Sequence, residues 1–373
     1  MAAFRNGVVT ELFEDHADLI RVRVRLADAS EVEASGFPRM LGPVAVGDEV
    51  VVNTTGIELG LGTGGEAFIL WNLSGVGPSG PGEGHIVKLR YTPWQTEVPA
   101  VEAQESPHHD ALVDVDSIDG LPVVVCGLHS QIAAVAAGIK AATPSARVGY
   151  LMTDGAALPI AWSRLVRDLR VSGLIDVTAT AGHAFGGELE VVNVHSGLAA
   201  LAHVSLCDVV IVAMGPGVVG TGTALGFTAL EQSGILDAAG VLGGIPVASL
   251  RINFSDERHR HQGLSHHSLT ALRMTARDGA VVPVPVLADN RSKLVTDALE
   301  GAGIGGRHHL IEVDGAPGLE YLAGRDITPS SMGRDVHQIP ELFLAAAAAG
   351  RAAAERLATG EGERLATGEG ERL

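Results

Sequence analysis

The hydrophobic pattern of the N-terminal part alternates over short runs. From Gly7 to about Leu73, β-favouring residues are separated by turn residues, as in GVVTELFE, VGDEVVVNTT and AFILWNL. In IRVRVRL, residues 20–26, apolar and Arg residues alternate strictly, which is the period of a strand with one buried face. We therefore predict a small β-rich, barrel-like module over residues 1–92.

From Leu121 onward the pattern changes to continuous apolar runs that alternate with helical stretches. The predicted strands are LPVVVCG, ARVGYLM, LIDVTAT, DVVIVAM, IPVASLRI, VVPVPVL and HLIEV. The predicted helices are IAAVAAGIKAA, PIAWSRLVRDLR, ELEVVNVHSGLAALA, TALGFTALEQSG, SLTALRMTAR and SKLVTDALEG. This alternation is typical of a mostly parallel sheet covered on both faces. We predict an α/β, Rossmann-like, doubly wound domain over residues 121–358; a closed βα barrel is the alternative.

Two segments lack a periodic pattern. Residues 93–120 are acidic and contain proline, which predicts a linker between the two domains. At the C-terminus, residues 359–373 continue a repeated ERLATGEG octapeptide that has two glycines per copy. Such a repeat cannot bury a core, so we predict a solvated tail; a partner-binding tail is the alternative.

Composition and charge narrow the expected partners. The 373 residues carry a formal net charge of −18, which repels nucleic acid and anionic membranes. No stretch approaches the roughly 20 apolar residues that span a bilayer, and the N-terminus lacks the apolar core of a signal peptide. We therefore expect a cytoplasmic protein with reduced Cys126 and Cys207. Because only 19% of the residues are charged, we also expect a homo-oligomer that buries apolar surface.

Several motifs together resemble a known family. They are NTTGIELGLGTGG, GHIVKLRYTPWQ, GLHSQ, MTDGAALP, GHAFGGELEVVNVHSGL, GPGVVGTGTALGF and RINFSDERHRHQGLSHHSLTAL. Their combination is similar to the bacterial family of domain of unknown function 3866, over about residues 6 to 345. The resemblance implies kinship and a bacterial source, and it brings no reaction, substrate or catalytic residue with it. The repeated tail lies outside the resemblance.

A glycine-rich segment follows the predicted strand DVVIVAM. Gly215, Gly217 and Gly220 fit the spacing G-x-G-x-x-G, which lets backbone N–H groups and a helix N-terminus approach a phosphate, and Thr221 adds a hydroxyl. Pro216 removes one N–H from the loop, and no acidic residue ends a strand about 20 residues later, so an NAD site is disfavoured. We expect an anion or phosphate site; a tight turn packed for its own sake is the alternative.

The segment NFSDERHRHQGLSHHS, residues 253–268, is the richest in groups that bind metals or anions. Asp256, His259 and His261 are the predicted ligands of a divalent metal. Interleaved cations repel a metal ion and favour a carboxylate or phosphate, and we expect such an anion to bind Arg251, Arg258 and Arg260. Ser265 is predicted to cap the next helix and to place His266 and His267 in its first turn. A structural loop is the third interpretation.

Single polar residues follow the first three predicted strands of the α/β domain. His129, Asp154 and His183 occupy these places, where each is either a catalytic group or a helix cap. Cys126 is interpreted as an inert buried thiol. Other polar residues are assigned no role, because they lie on a predicted helix, in the linker or at the opposite edge of the sheet: Glu188, Asn193, His108, His109, His308 and His309.

Two classes of function fit these residues. The first is an enzyme that acts on a small anionic metabolite, bearing phosphate or carboxylate, at the carboxyl edge of the sheet; with a divalent metal it would be a hydrolase. Its predicted catalytic residues are His129, Asp154, His183, His266 and His267. The second is a non-catalytic ligand sensor or structural homo-oligomer. Because loops after parallel strands meet at one edge, we predict that His129, Asp154, His183, the glycine loop and at least two later histidines line one cleft.

Overall fold

The computed structural model describes residues 2–60, 65–75, 77–78 and 84–358. The chain divides into two compact units, Met1–Val98 and Pro99–Leu373. The division lies within the span 93–120 that the sequence suggests as a linker. In the second unit, this span is tied down by backbone hydrogen bonds, from Val101 N–H to the Glu190 carbonyl (2.8 Å) and from Ile118 N–H to the Leu242 carbonyl (2.8 Å). The predicted tail, residues 359–373, lies outside the described residues.

The first unit contains a closed five-stranded β-barrel, as predicted. Its strands and short helices are β1 (Phe4–Asp15), β2 (Ile20–Leu26), β3 (Glu31–Gly36), α1 (Pro38–Leu41), β4 (Glu49–Asn53), α2 (Thr55–Glu58), β5 (Ala67–Asn72), β6 (Ile86–Lys88) and β7 (Thr96–Val98). The barrel order is β1-β2-β3-β5-β4, while β6 and β7 form a separate antiparallel pair. Val22 and Val24 of the alternating segment point into the barrel core together with Val50 and Val52.

The second unit is an α/β domain. Its strands are β8 (Pro122–Cys126), β9 (Val148–Thr153), β10 (Val177–Thr180), β11 (Leu189–Glu190), β12 (Val209–Met214), β13 (Ile245–Ser249), β14 (Ile252–Asn253), β15 (Gly263–Leu264), β16 (Val281–Pro285), β17 (His309–Val313), β18 (Ser330–Ser331) and β19 (Arg334–Asp335). Its helices are α3 (Ile132–Ala142), α4 (Arg164–Val171), α5 (Val194–His203), α6 (Glu231–Val241), α7 (His266–Met274), α8 (Arg291–Gly301), α9 (Ala316–Ala323) and α10 (Pro340–Ala358).

Eight of these strands form one open parallel sheet in the order β11-β10-β9-β12-β8-β13-β16-β17. Successive residues of β8 point to opposite faces, so Val124 belongs to the core beneath α3 and α10, while Val123 and Val125 belong to the core beneath α5 and α6. The sheet is covered on both faces, which confirms the doubly wound α/β prediction. The βα-barrel alternative is wrong, because the sheet stays open between β11 and β17.

Three predicted helices differ from the structure. In the segment 159–170, the α-helix begins only at Arg164, after Ser163, whose side chain accepts a hydrogen bond from Val166 N–H. The segment 188–202 was predicted as one helix, but Leu189 and Glu190 pair with β10, and α5 begins only after Asn193, whose side chain accepts a hydrogen bond from Ser196 N–H (3.0 Å). The segment 223–234 begins as a loop, and α6 starts at Glu231. Asn193 is therefore a helix cap, and Glu188 lies outside any helix.

The Ala-rich helix α10 packs closely on α3. A Cβ on Gly138 of α3 would lie 2.1 Å from the Ala347 carbonyl oxygen, and one on Gly350 of α10 would lie 2.0 Å from the Val135 carbonyl oxygen. The two backbones therefore approach so closely that only glycine fits at these positions. Across the part of the chain that the structure describes, every helix is too short or too polar to span a bilayer.

Candidate functional site

Arg251, directly after β13, is a buried guanidinium in the second unit. Its backbone N–H donates to Ser268 Oγ (2.9 Å), and its Nη1 donates to His267 Nδ1 (3.3 Å). The residue is only 9% exposed, and burial lowers the pKa of its guanidinium to about 10, helped by the charges of Arg258, Arg334 and Arg260. Among the described residues, no carboxylate lies within ion-pair distance of this guanidinium. A buried guanidinium without a carboxylate partner is costly to the fold.

Arg258 and Asp256, in contrast, form an ion pair with each other. Arg258 Nε and Nη2 donate to the two carboxylate oxygens of Asp256, each at 2.9 Å, and this contact holds the pKa of Asp256 well below its usual range. Arg334 lies 3.9 Å from the same carboxylate. The predicted metal ligand Asp256 is therefore engaged by cations, and the predicted anion ligand Arg258 is already paired.

Three imidazoles cluster beside Arg251. The ligand atoms of His261, His266 and His267 lie within 4.8 Å of one another. His261 Nδ1 is 2.7 Å from Ser265 Oγ, and the same hydroxyl accepts a hydrogen bond from His267 N–H, so Ser265 caps α7 as predicted. His266 Nε2 is buried without a hydrogen-bond partner.

These imidazoles are held in the neutral form. Burial and the charge of Arg251 lower the pKa of His261 to about 4 and that of His267 to about 3. Burial and the charges of Arg260 and Arg251 also lower the pKa of His266. Neutral imidazole is the form that accepts a proton or binds a metal. His259, a predicted metal ligand, is exposed and does not belong to this cluster.

The glycine loop borders the histidine cluster but does not lead directly into a helix. Gly220 pairs with Phe227, and Thr221 N–H donates to the Gly226 carbonyl (2.8 Å), so the loop closes on itself before α6 begins at Glu231. A Cβ on Gly220 would lie 3.6 Å from His267, and one on Gly222 would lie 3.6 Å from Arg260. The loop therefore borders the cluster, but it brings no helix N-terminus to a phosphate.

The structure explains why the first two residues of the motif, Gly215 and Gly217, are glycines. A Cβ on Gly215 would lie 2.4 Å from the Ala157 carbonyl oxygen, which requires a glycine for close packing. Gly217 has a φ of +114°, a conformation that side chains rarely adopt. The alternative interpretation of the motif, a tight turn, accounts for both residues.

His129 is a buried imidazole within a hydrogen-bonded group. Its Nδ1 donates to the Met214 carbonyl (3.0 Å), so its Nε2 accepts from Ser163 Oγ (2.6 Å). Ser163 in turn accepts from Val166 N–H and caps α4, and the Tyr150 hydroxyl lies 3.3 Å from His129 Nδ1. Burial lowers the pKa of His129 to about 4. Both ring nitrogens are used inside the protein, which leaves none for a substrate.

Asp154 follows β9 at the edge of a cleft. Its Oδ2 accepts a hydrogen bond from His183 N–H (2.9 Å), so these two predicted residues do meet. The cleft has a volume of about 640 Å³, and Phe227, which also stacks on His267 with ring centroids 3.9 Å apart, is part of its wall. His129, His183, His266 and His267 do not line this cleft. The predicted residues thus form separate groups along one edge of the sheet.

The remaining sulfur and imidazole groups lie elsewhere. Burial raises the pKa of the Cys126 thiol to about 12, which makes it inert. His109, at the start of a short helix, contacts the Glu102 carbonyl through Nδ1 (2.9 Å). His308 is buried near β17 against the Leu272 carbonyl (3.1 Å).

The chain matches the model of a protein family. The family described as "Protein of unknown function (DUF3866)" matches residues 33–350, which is most of the chain. The chain belongs to this family. The comparison with curated proteins finds no match. Membership of the family therefore confirms the resemblance inferred from the motifs and leaves the chemistry to the residues.

The sequence did not indicate that Glu231 and Phe227 line a cleft. The predicted helix 223–234 contains both residues and gives neither of them a role. Gly226 and Thr228, a helix breaker and a β-branched hydroxyl residue, were the available signals that α6 starts later. Glu231 then falls in the first turn of α6, and Thr153 Oγ1 donates to its Oε1 (2.7 Å).

Proposed function

We propose that the protein is an enzyme that acts on a small anionic metabolite, whose phosphate or carboxylate binds Arg251 and Arg260 next to the histidine cluster. The observation that carries the proposal is the buried guanidinium of Arg251, which has no carboxylate partner among the described residues. Phosphate and carboxylate match the planar donors of arginine. A cytoplasmic location and a homo-oligomeric state belong to the same proposal, on the grounds of charge and composition.

His266 is the proposed proton acceptor. Its neutral Nε2 has no hydrogen-bond partner, and the arginine charges that lower its pKa would be neutralised by a bound anion. Burial and the charges of Arg260 and Arg251 lower the pKa of His266, and a bound anion would offset the arginine contribution, so His266 becomes a stronger base when the substrate binds. Phe227, at the end of the loop 215–227, contacts the rings of both His266 and His267.

A metal-assisted hydrolase is the second candidate, because the ligand atoms of His261, His266 and His267 lie within 4.8 Å of one another. Zinc–nitrogen bonds of about 2.0–2.1 Å would require these atoms to approach to about 3.3 Å. His261, His266 and His267 would hold the zinc ion, which would supply an activated water for hydrolysis. The donor contact from Arg251 to His267 Nδ1 places the proton of that ring on Nε2, which opposes binding through Nε2.

Binding of inorganic phosphate tests the anion site. Phosphate is expected to raise the Tm of the full-length protein, and Arg251→Gln is expected to abolish this shift while leaving the Tm in phosphate-free buffer unchanged or higher, because a buried unpaired charge has been removed. Arg251→Lys should restore part of the response. Arg273→Gln, an exposed arginine at the other end of α7, is the matched control. An unchanged phosphate response in Arg251→Gln would contradict the proposal.

Turnover and metal analysis separate the candidates. The purified protein is assayed for hydrolysis of a chromogenic phosphate ester and a chromogenic carboxylate ester, with and without a chelator. Activity that survives the chelator supports proton transfer by His266, while activity that returns only with zinc supports the metal candidate. Phosphate binding without turnover of either ester would favour the non-catalytic sensor.

A further inference from the structure

A second site of opposite charge lies at the ends of β9 and β12. The cleft of about 640 Å³ lies within the range of roughly 300–1,000 Å³ that is typical of small-molecule sites. The chain leaves β9 towards β10 on one side and β12 towards β13 on the other, so the cleft lies where the connections diverge. Ligands of doubly wound sheets bind at such positions.

The walls of the cleft are amphipathic. Val194, Phe227, Leu230 and Ile235 provide an apolar surface from α5, α6 and the loop before α6. The polar lining groups lie at the strand end, at the starts of the two helices and in the segment before α6: Thr153, Asp154, Asn193, His195, Thr228, Glu231 and Ser233. A ligand with an apolar body and one polar end fits this division.

Neither carboxylate of the cleft has a cationic partner among the described residues. Asp154 accepts only the His183 N–H, and Glu231 accepts only the Thr153 hydroxyl. The amino termini of α5 and α6 also border the cleft and contribute about half a positive charge each, whereas the two carboxylates carry up to two negative charges. When both carboxylates are ionised, their negative charge therefore exceeds the partial positive charge of the two helix ends.

We propose that this cleft binds an organic ammonium group between Asp154 and Glu231, with the apolar body of the ligand against Val194, Phe227 and Leu230. The aromatic ring of Phe227 adds a surface that attracts cations. The polar lining residues of this cleft are distinct from the arginine and histidine groups of the proposed anion site. The two sites share Phe227, which stacks on His267.

Binding is expected to depend on pH through Glu231. Burial raises the pKa of Glu231 to about 7, with a further contribution from the charge of Asp154. The other titratable groups near Glu231 are Tyr150 on β9 and His195 on α5, and His183 contacts Asp154 through its backbone. An ammonium group prefers the ionised carboxylate, so affinity should rise about tenfold between pH 6 and pH 8.

The experiment compares two probes with the same body. 2-Phenylethylamine is cationic and 2-phenylethanol is neutral, so the difference in their Kd values for the full-length protein, measured by calorimetry, isolates the charge. We expect the amine to bind at least tenfold more tightly at pH 8. Glu231→Gln keeps the shape and the acceptor for Thr153, and it should reduce this preference and remove the pH dependence. Asp154→Asn should weaken amine binding, while Glu312→Gln on β17 should leave it unchanged.

Three results would overturn the proposal. They are equal affinity for the amine and the alcohol, no binding of the amine at millimolar concentration, and amine binding by Glu231→Gln with the preference and pH dependence of the wild type. His195→Gln is the control for the pH profile. If the pH dependence is lost in His195→Gln and kept in Glu231→Gln, then His195 causes it and Glu231 does not. The phosphate response of Glu231→Gln is measured in parallel, so failure of the amine site is distinguished from failure of the Arg251 site.

Discussion

At the scale of single residues, the partners of a side chain decide its chemistry. Arg251, Arg258 and Arg260 look alike in the sequence, yet Arg258 is paired with Asp256, whereas Arg251 is buried beside His267 without a carboxylate. The sequence indicated the histidines and arginines because they are concentrated after one strand. It did not indicate which arginine is unpaired, because that depends on the tertiary neighbours of each guanidinium.

His129 shows the same limit. Its position after β8 was predicted, but its environment, between the Met214 carbonyl and Ser163, comes from residues distant in the sequence. Helix caps and catalytic groups share this edge of the sheet, and burial distinguishes them. We therefore interpret His129 as a structural residue that fixes the start of α4 through Ser163.

The buried neutral state of His129 predicts a loss of stability in acid. The pKa of His129 is lowered to about 4 in the folded protein, so the unfolded chain binds more protons between pH 6.5 and pH 4. The free energy of unfolding therefore decreases as the pH is lowered through that window. This residue alone should cost about 2 kcal/mol between pH 6.5 and pH 5. Urea unfolding at both pH values measures the difference.

The control for this prediction is a second histidine variant. His129→Gln should be less stable at neutral pH, because it disturbs the contacts to Met214 and Ser163, and it should lose about 2 kcal/mol of the pH dependence. His259→Gln, at an exposed position, should retain the wild-type dependence. Equal pH dependence in the wild type and His129→Gln would contradict the assignment.

At the scale of elements, periodicity identified the strands of the large sheet better than the starts of the helices. Buried strands such as β8 and β12 are continuous apolar runs, a signal that is local in the sequence. The short strand β11 was missed, because its two residues are held by pairing with β10. The late start of α6 was missed because the preceding loop closes through Thr221 and Gly226, contacts that a helical periodicity does not reveal.

A glycine-to-alanine substitution is expected to have opposite effects on stability in α3, which packs against α10, and in α6. Gly138→Ala places a Cβ 2.1 Å from the Ala347 carbonyl oxygen, so the helices must separate, and we expect a loss of about 1–3 kcal/mol. Gly234→Ala in α6 meets no atom within 4 Å and should stabilise the protein by about 0.5–1 kcal/mol through helix propensity. Chemical denaturation of both variants measures the effects. A stabilising Gly138→Ala would show that the helices do not approach so closely.

At the scale of the whole molecule, the class of fold followed from the alternation of strands and helices, and the strand order did not. The order places β12 between β9 and β8, which brings the loop after β12 next to Asp154. The prediction that polar groups follow the strands was sufficient to point to the edge of the sheet formed by the carboxyl ends of the strands. Separating those groups into the arginine and histidine cluster, a cleft and the buried His129 required the strand order and the burial of each side chain.

The low content of charged residues predicts a homo-oligomer. Only 19% of the residues are charged, against about 25% in an average soluble protein, which suggests that part of the apolar surface is covered by another copy. The net charge of −18 opposes association, and salt screens this repulsion over about 10 Å at 0.1 M ionic strength. Light scattering during size-exclusion chromatography, at micromolar protein concentration, should therefore give a multiple of 38.4 kDa, and the fraction of oligomer should increase from low to high salt. A mass of 38.4 kDa at both salt concentrations would contradict the prediction, and a fraction of oligomer that falls with salt would show that ion pairs, instead of apolar surface, hold the copies together.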